Sequence, residues 1–275
     1  MMLTAEAASL RFQHRLFHRE LGTLFPGTLP LGSIAHVLDL SCGPGSWLLE
    51  VVQAYPHMRG VGVDQKPELI QSAYEDARLA NATTASFRVV EHYAQLPYAD
   101  NSFDFVHVQR SSAAITPRLW PTVLQELARV LRPGGWLHFL DFEIGPTSSS
   151  AINTFIKYLH ASHHKQERVF SAESQALTSA ILFPRLLTEA GYGEVKYTPH
   201  AVDIGNQAGN FGKDYILAVL AEDKRITSHL VQAEVVTQHE MNRLIAAMYR
   251  DTQRIKYCAT GMLISVVGTK PEGQV

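Results

Sequence analysis

From Ala35 to Glu143, short apolar segments alternate with amphipathic ones, and this rhythm constrains the fold more than any other feature of the chain. The strand-like segments are Ala35–Leu40, Gly60–Asp64, Ser86–Glu91, Phe103–Gln109 and Trp136–Glu143. Between them, Ser46–Tyr55, Pro67–Leu79 and Leu119–Leu131 place apolar residues at helical spacing. The RPGG run Arg132–Gly135 stops the last of these, since Pro and Gly cannot continue a helix. Strands joined by helices pair in parallel through right-handed crossovers, with helices covering both faces. The expected class is therefore α/β, a doubly wound, mostly parallel sheet.

The flanks follow a different rhythm. Thr4–Leu21 spaces Leu10, Phe12, Phe17 and Leu21 as a helix does, and the Pro/Gly cluster Phe25–Ser33 breaks the chain after it. Beyond Glu143, helices are expected over Ala151–His163 and Ser174–Ala190, the second broken or kinked at Pro184. A strand over Glu194–Val202, helices over Lys213–Leu220 and Ser228–Arg250, and a last strand over Cys258–Lys270 complete the reading. It divides the chain into a lid helix and linker (1–33), a core (34–145), a helical insertion (146–192) and the end of the sheet with a second insertion (193–275). Both insertions exceed what a crossover needs and are expected to cap the carboxyl ends of the strands, where open α/β sheets bind ligands.

Charge and cysteine content narrow the partners. In 275 residues, 24 Lys and Arg face 26 Asp and Glu, a net charge of −2, which argues against nucleic acid or an anionic membrane. Cys42 and Cys258 cannot make a disulfide framework, no run of eighteen apolar residues occurs, and the start lacks the order of a signal peptide. A cytoplasmic protein is expected, and a homodimer is left open.

The chemistry concentrates in VLDLSCGPGSW (Val37–Trp47), which ends the first strand and opens the first helix. Gly43 and Gly45 allow close approach of the backbone to a ligand. Asp64 ends the second strand 19 residues after Gly45, where a nucleotide ribose needs an acceptor. A dinucleotide loop would want a third glycine where Leu48 stands, and it has no use for Asp39 inside the strand. A P-loop is excluded, because no GxxxxGK[ST] occurs. S-adenosylmethionine, whose ammonium and sulfonium groups want carboxylates and carbonyls rather than a pyrophosphate cradle, fits better.

The stretch from Ala35 to Glu143 resembles the class I (Rossmann-like) S-adenosylmethionine-dependent methyltransferases, similar in part to those of secondary metabolism. VLDLSCGPG resembles that family's first motif and Val61–Asp64 its acidic second; Leu96–Val106 and Leu127–Leu137 resemble the segments leading into the fourth and fifth strands. The resemblance implies a seven-strand sheet and roles for named residues. Asp39 would neutralise the cofactor's amino end, through water or backbone. Ser41, Cys42, Gly43 and Gly45 would wrap the methionine part, and Asp64 would hold the ribose hydroxyls with Gln65 and Lys66 beside the adenine. His92–Tyr93 falls at the adenine edge, where the family often has an acid followed by a small residue. Gln109 would offer a carbonyl to the ammonium, and the product would be S-adenosylhomocysteine.

Methyl transfer relies mainly on orientation, so an obvious base is not required, and no HExxH or paired CxxC suggests a metal. The catalytic candidates are Arg110, able to orient an anionic or carbonyl acceptor, His14 as a base on the lid helix, and Glu143 at the end of the fifth strand. His160 and His164 stand i, i+4 without a third ligand, and His200, Asp203 and Asn206 follow the late strand. Phe155, Tyr158, Phe211 and Tyr215 are open to either a pocket or a core reading. The expected function is methylation of a small, partly apolar acceptor on O, C or N. The alternative is a cofactor-binding protein of the same fold that regulates or runs a non-methylating reaction.

Overall fold

The structure is a computed structural model that describes residues 5–27, 29–111, 114–169, 180–205, 223–254 and 256–273. Seven strands form one sheet: β1 (His36–Leu40), β2 (Arg59–Asp64), β3 (Ala85–Val89), β4 (Phe103–Gln109), β5 (Leu131–Thr147), β6 (Gly193–Asp203) and β7 (Ala259–Thr269). Their order is β3-β2-β1-β4-β5-β7-β6, with β7 antiparallel to both neighbours and the first five strands parallel. The chain returns to the middle of the sheet after β3, so β1 and β4 lie side by side while their crossovers leave in opposite directions. That arrangement opens a crevice at their carboxyl ends.

Period-two alternation along the strands divides the core between two faces. On one, Val106 and Val108 of β4 and Leu137 and Phe139 of β5 pack against Leu124 and Leu127 of α4 (Trp120–Val130) and Phe183 of α6 (Phe183–Glu189). On the other, Val37 and Phe105 meet Trp47, Leu48 and Val51 of α2 (Ser46–Ala54) and Ile70 and Ala73 of α3 (Pro67–Leu79). A third apolar cluster joins Leu16 and Phe17 of α1 (Ala5–Leu21), Phe155 of α5 (Ser150–Lys165), Leu230 of α7 (Asp223–Gln232) and Met241 and Met248 of α8 (Gln238–Thr252). Its sheet partners are Leu140 and Phe142 of β5 and Leu263 of β7. Whereas β4 ends at Gln109, opposite Leu140, β5 runs on to Thr147 against β7. At about 3.3 Å per residue this arm extends roughly 23 Å past its neighbour and carries the helical cluster.

Several boundaries differ from the sequence reading for local reasons. Ser228–Arg250 is two helices rather than one: Glu234 adopts φ +52°, and Thr237 and Glu240 form a reciprocal capping box that starts α8 afresh. Pro184 begins a helix instead of kinking one, lying in the first turn of α6 after a 3₁₀ turn at Ala180–Leu182. Arg132–Gly135 ends the helical run as expected but continues in β5 as an irregular stretch, between the pairs Phe103–Leu131 and Phe105–Trp136. The expected helix Lys213–Leu220, residues 174–179 of the preceding one, and Asn206, Phe211 and Tyr215 lie outside the described residues.

Candidate cofactor and active site

The turn after β1 is shaped by residues in the left-handed region. Ser41, Gly43 and Gly45 have φ of +60°, +55° and +75°. Glycine is obligatory at 45 on a second count, because a Cβ there would stand 2.5 Å from the Phe87 ring. Gly45 is also the N-cap of α2 and brings no side chain to its first-turn N–H groups, which leaves them for a ligand. Asp64 holds the turn in place: Oδ2 accepts from the Gly43 N–H at 2.9 Å and Oδ1 from the Lys66 N–H at 2.9 Å. The Cys42 N–H donates to the Val63 carbonyl at 3.0 Å. One side chain thus ties the glycine turn to the start of α3.

A cavity of about 370 Å³ lies above this turn. Of the residues singled out by sequence, Asp39, Ser41, Cys42, Gly43, Asp64, Gln65, Lys66, Tyr93, Gln109, Arg110 and His14 line it. Gly45 shapes the turn from behind. His92 is exposed and is not part of this lining; its carbonyl accepts from the Gln95 N–H. Glu143 is buried in β5 opposite Met262 and is not in the lining either. Sequence reasoning gave no site role to Glu6, Leu10 or Trp47, which also line the cavity. Glu6, Leu10 and His14 recur every four residues, so one stripe of α1 faces the crevice, a periodicity legible in the sequence.

That helix is fastened at several points. Lys66 Nζ lies 2.7 Å from Glu6 Oε1, and Arg11 Nε donates to Asp76 Oδ2 at 2.6 Å. His14 Nε2 and His18 Nδ1 both approach Glu50 Oε2, at 3.2 and 2.8 Å. The close approach of His14 is the chief reason the Glu50 carboxyl is held below its usual range, against the opposing effect of partial burial.

Burial governs the acidic groups on this wall. Burial first, and the neighbouring Asp64 second, push the Asp39 carboxyl well above the ordinary range. Burial also raises Asp64, although the N–H groups of Lys66 and Gly43 partly offset it. Burial raises the Tyr93 hydroxyl too, even though the Ser41 side chain and the Gln65 N–H both reach it. Burial and the two carboxylates raise the Cys42 thiol, which fits a packing residue and not a nucleophile. Two desolvated carboxylates in one crevice are relieved by a positively charged guest. Also in the lining, Arg110 adopts φ +53°, and its Nη1 is buried without a hydrogen-bond partner among the described residues. A strained arginine with a donor to spare at the mouth of a crevice is the kind of feature that function retains.

Comparison with known proteins bears on the class of domain. Residues 37–135 match the family described as methyltransferase domain. A secondary metabolism regulator from Monascus pilosus is 28% identical over 166 residues, 58% of this chain and 41% of that protein. The 27-O-demethylrifamycin SV methyltransferase of Amycolatopsis mediterranei is 34% identical over 148 residues, 52% of this chain and 48% of the enzyme. This chain therefore spans less than half the length of either relative. Among solved structures, the Haemonchus contortus phosphoethanolamine N-methyltransferase 2 complexed with S-adenosylhomocysteine superposes with a TM-score of 0.57 at 13% identity, covering 97% of this chain and 58% of that one. Residues 37–135 are thus similar to a methyltransferase domain, and the chain shares its fold with a solved S-adenosylhomocysteine-bound methyltransferase.

Among the described residues no group of three or more His, Cys, Asp or Glu could hold a metal ion, His160 and His164 included. No described helix is long and apolar enough to cross a membrane.

Proposed function

We propose that the chain transfers a methyl group from S-adenosylmethionine to a small, partly apolar acceptor. The carrying observation is the buried pair Asp39 and Asp64 beside the glycine turn on the wall of one cavity, where a carboxylate suits an ammonium or a ribose. Asp64, with lone pairs remaining beyond its two backbone contacts, suits the ribose hydroxyls, and Asp39 suits the ammonium end. The Ser41–Gly45 turn would cradle the methionine part, while Tyr93 and Gln65 flank the adenine side. Bound S-adenosylmethionine supplies an electrophilic methyl group on sulfur and leaves as S-adenosylhomocysteine.

The chain's own contribution is chiefly orientation. Holding an acceptor in line at near-attack distance is worth up to about 7–11 kcal/mol. Where the acceptor must lose a proton, a positioned base adds roughly 10²–10⁴-fold, and His14, buried on the lid over the crevice, is the residue for that task. Arg110, with its unpartnered donor, would hold a carbonyl or anionic oxygen of the cofactor or acceptor. The match to a fungal regulator supports a second reading, cofactor binding in the service of regulation.

The deciding experiment supplies methyl-labelled S-adenosylmethionine with a panel of uncharged phenols and enols and follows label and S-adenosylhomocysteine together. Label on an acceptor with equal thioether release is the expected result. Binding of the cofactor with neither product would overturn methyl transfer and favour the regulatory reading.

A further inference from the structure

A second cavity, of about 210 Å³, lies between the sheet and the end of α1. It shares His14, Trp47 and Gln109 with the first, so those three side chains are the partition between the two spaces. Its walls are apolar and largely aromatic: Phe17 and Leu21 from α1, Leu24 and Phe25 from the turn that follows, and Leu140 from β5. Phe25 meets Trp47 edge-on at 5.8 Å, and Trp47 stacks on His107 at 4.1 Å. The described lining contains neither a carboxylate nor a lysine or arginine.

The polar groups of its floor are occupied with one another. His138 Nδ1 lies 3.0 Å from His107 Nδ1, His138 Nε2 lies 3.1 Å from Ser265 Oγ, and His107 Nε2 lies 3.3 Å from Gln109 Oε1. Two imidazole nitrogens facing each other share one proton, so a chain of single donors runs from Ser265 to Gln109. Read with Gln109 accepting, the Ser265 hydroxyl donates to His138, His138 to His107, and His107 to the Gln109 carbonyl, which leaves the Gln109 amide protons to face the partition. Burial pushes both histidines down, His138 to about 3, so this floor is neutral at physiological pH. On the outer side, Thr198 and His200 of the edge strand β6 line the cavity and are exposed, an entry separate from the glycine turn.

We propose that this chamber is the acceptor site and that it takes an uncharged, compact aromatic molecule with a hydrogen-bonding oxygen. The molecule enters past Thr198 and His200 and presents that oxygen to His14 and Gln109 at the partition. Aromatic walls favour a flat apolar guest. A charged one would be stripped of water beside a described lining that holds no carboxylate, lysine or arginine. That the chamber is an acceptor site rests on the methyltransferase reading; the chamber and the class of its guest do not.

The probe is 2-naphthol, titrated calorimetrically into the protein alone and into the protein with S-adenosylhomocysteine, beside its charged analogue 2-naphthoate. Leu21→Trp, at a half-buried position on α1, fills the chamber from the lid, and Leu140→Trp fills it from the sheet. Saturable naphthol binding is expected, weakened by about ten-fold or more in each folded variant, with naphthoate weaker by a similar factor and S-adenosylhomocysteine affinity changed less than about two-fold. In the ternary complex with S-adenosylmethionine, an NOE should connect the naphthol ring to the S-methyl group. Naphthol binding insensitive to Leu21→Trp, equal affinity for naphthoate, or a ternary complex lacking that NOE would overturn the assignment. Failure of S-adenosylhomocysteine to bind would instead sink the methyltransferase reading, and the titration of the protein alone would still decide whether the chamber takes a neutral aromatic guest.

Discussion

Replacing Asp39 with Asn should stabilise the free protein while it weakens cofactor binding. Asp39 is 2% exposed, in the middle of the sheet between β2 and β4. Burial and Asp64 both oppose its charge. Because its folded pKa is raised, the native state holds that proton more tightly than the unfolded chain does, so stability falls as pH rises from the unfolded value of 3.8 toward the folded one. The penalty is complete above the folded value and vanishes below 3.8. The near-isosteric Asn removes the charge without opening a cavity, and relief of strain at a functional site is commonly worth about 0.5–2 kcal/mol. The gain should therefore appear in denaturant midpoints at pH 7.5 and shrink as the pH is lowered toward 4. The same change deletes a charged partner of the ammonium group. At about 1.5–3 kcal/mol for a hydrogen bond to a charged group, it should raise the dissociation constant of S-adenosylmethionine by roughly 10- to 150-fold in calorimetry. A variant less stable than wild type at pH 7.5, or one that binds the cofactor undiminished, would refute the view of this carboxylate as held in place for a cation.

Three further changes test the supports of the site. Gly45→Ala combines a strained φ with a contact to Phe87 and should cost about 2–4 kcal/mol in urea unfolding; a loss under 1 kcal/mol would mean that the turn and the Phe87 ring readjust freely. Asp104 accepts from the N–H groups of Ala35 and His36 at 2.9 and 2.8 Å and pairs with Arg132. Partial burial opposes its charge, but those bonds outweigh it and hold the carboxyl below its usual range, so its contribution is present above pH 3.8 and is lost as the pH falls through the folded value. Asp104→Asn should lower stability by about 1–2 kcal/mol at pH 7 and make no difference near pH 2, read from thermal melts at both. Glu6→Gln breaks the contact of the lid helix with Lys66 and should weaken S-adenosylmethionine binding by no more than about five-fold, an effect that disappears in high salt. A salt-independent loss would point to a direct cofactor contact by Glu6 instead.

How much of this was legible in the sequence follows from where the physics is local. The strands β1, β2 and β4 and the helices α2 and α3 are readable because alternation and helical spacing are set by burial on either side of a parallel sheet, and Pro67–Leu79 falls on its structural bounds. The glycine turn is readable for a related reason, since a turn between a strand and a helix fixes Gly43, Gly45 and Asp64 by backbone geometry. His92 shows the limit: its place in the chain suggests the adenine edge, yet its side chain turns outward and only Tyr93 reaches the cavity. Glu143 shows another, because the end of the fifth strand was placed by its apolar run, whereas β5 continues to Thr147 as an arm that carries the helical cluster. The split of α7 from α8 turned on Glu234, Thr237 and Glu240, a capping signal the helical periodicity overran.

The acceptor chamber was the least legible part, for a physical reason. It is built from Phe17, Phe25, His138, Leu140, Thr198, His200 and Ser265, which come from five separate segments and meet because β7 inserts between β5 and β6. No spacing in the sequence relates His138 to Ser265, 127 positions apart, or either to a lid helix at the other end of the chain. A cofactor that is the same throughout a family is gripped by a short, continuous motif. The acceptor, which differs from one member to the next, is gripped by side chains gathered from distant parts of the chain. Each can therefore be replaced without disturbing the glycine turn, and the chemistry of the guest is written in the polarity and charge of the assembled wall rather than in any motif.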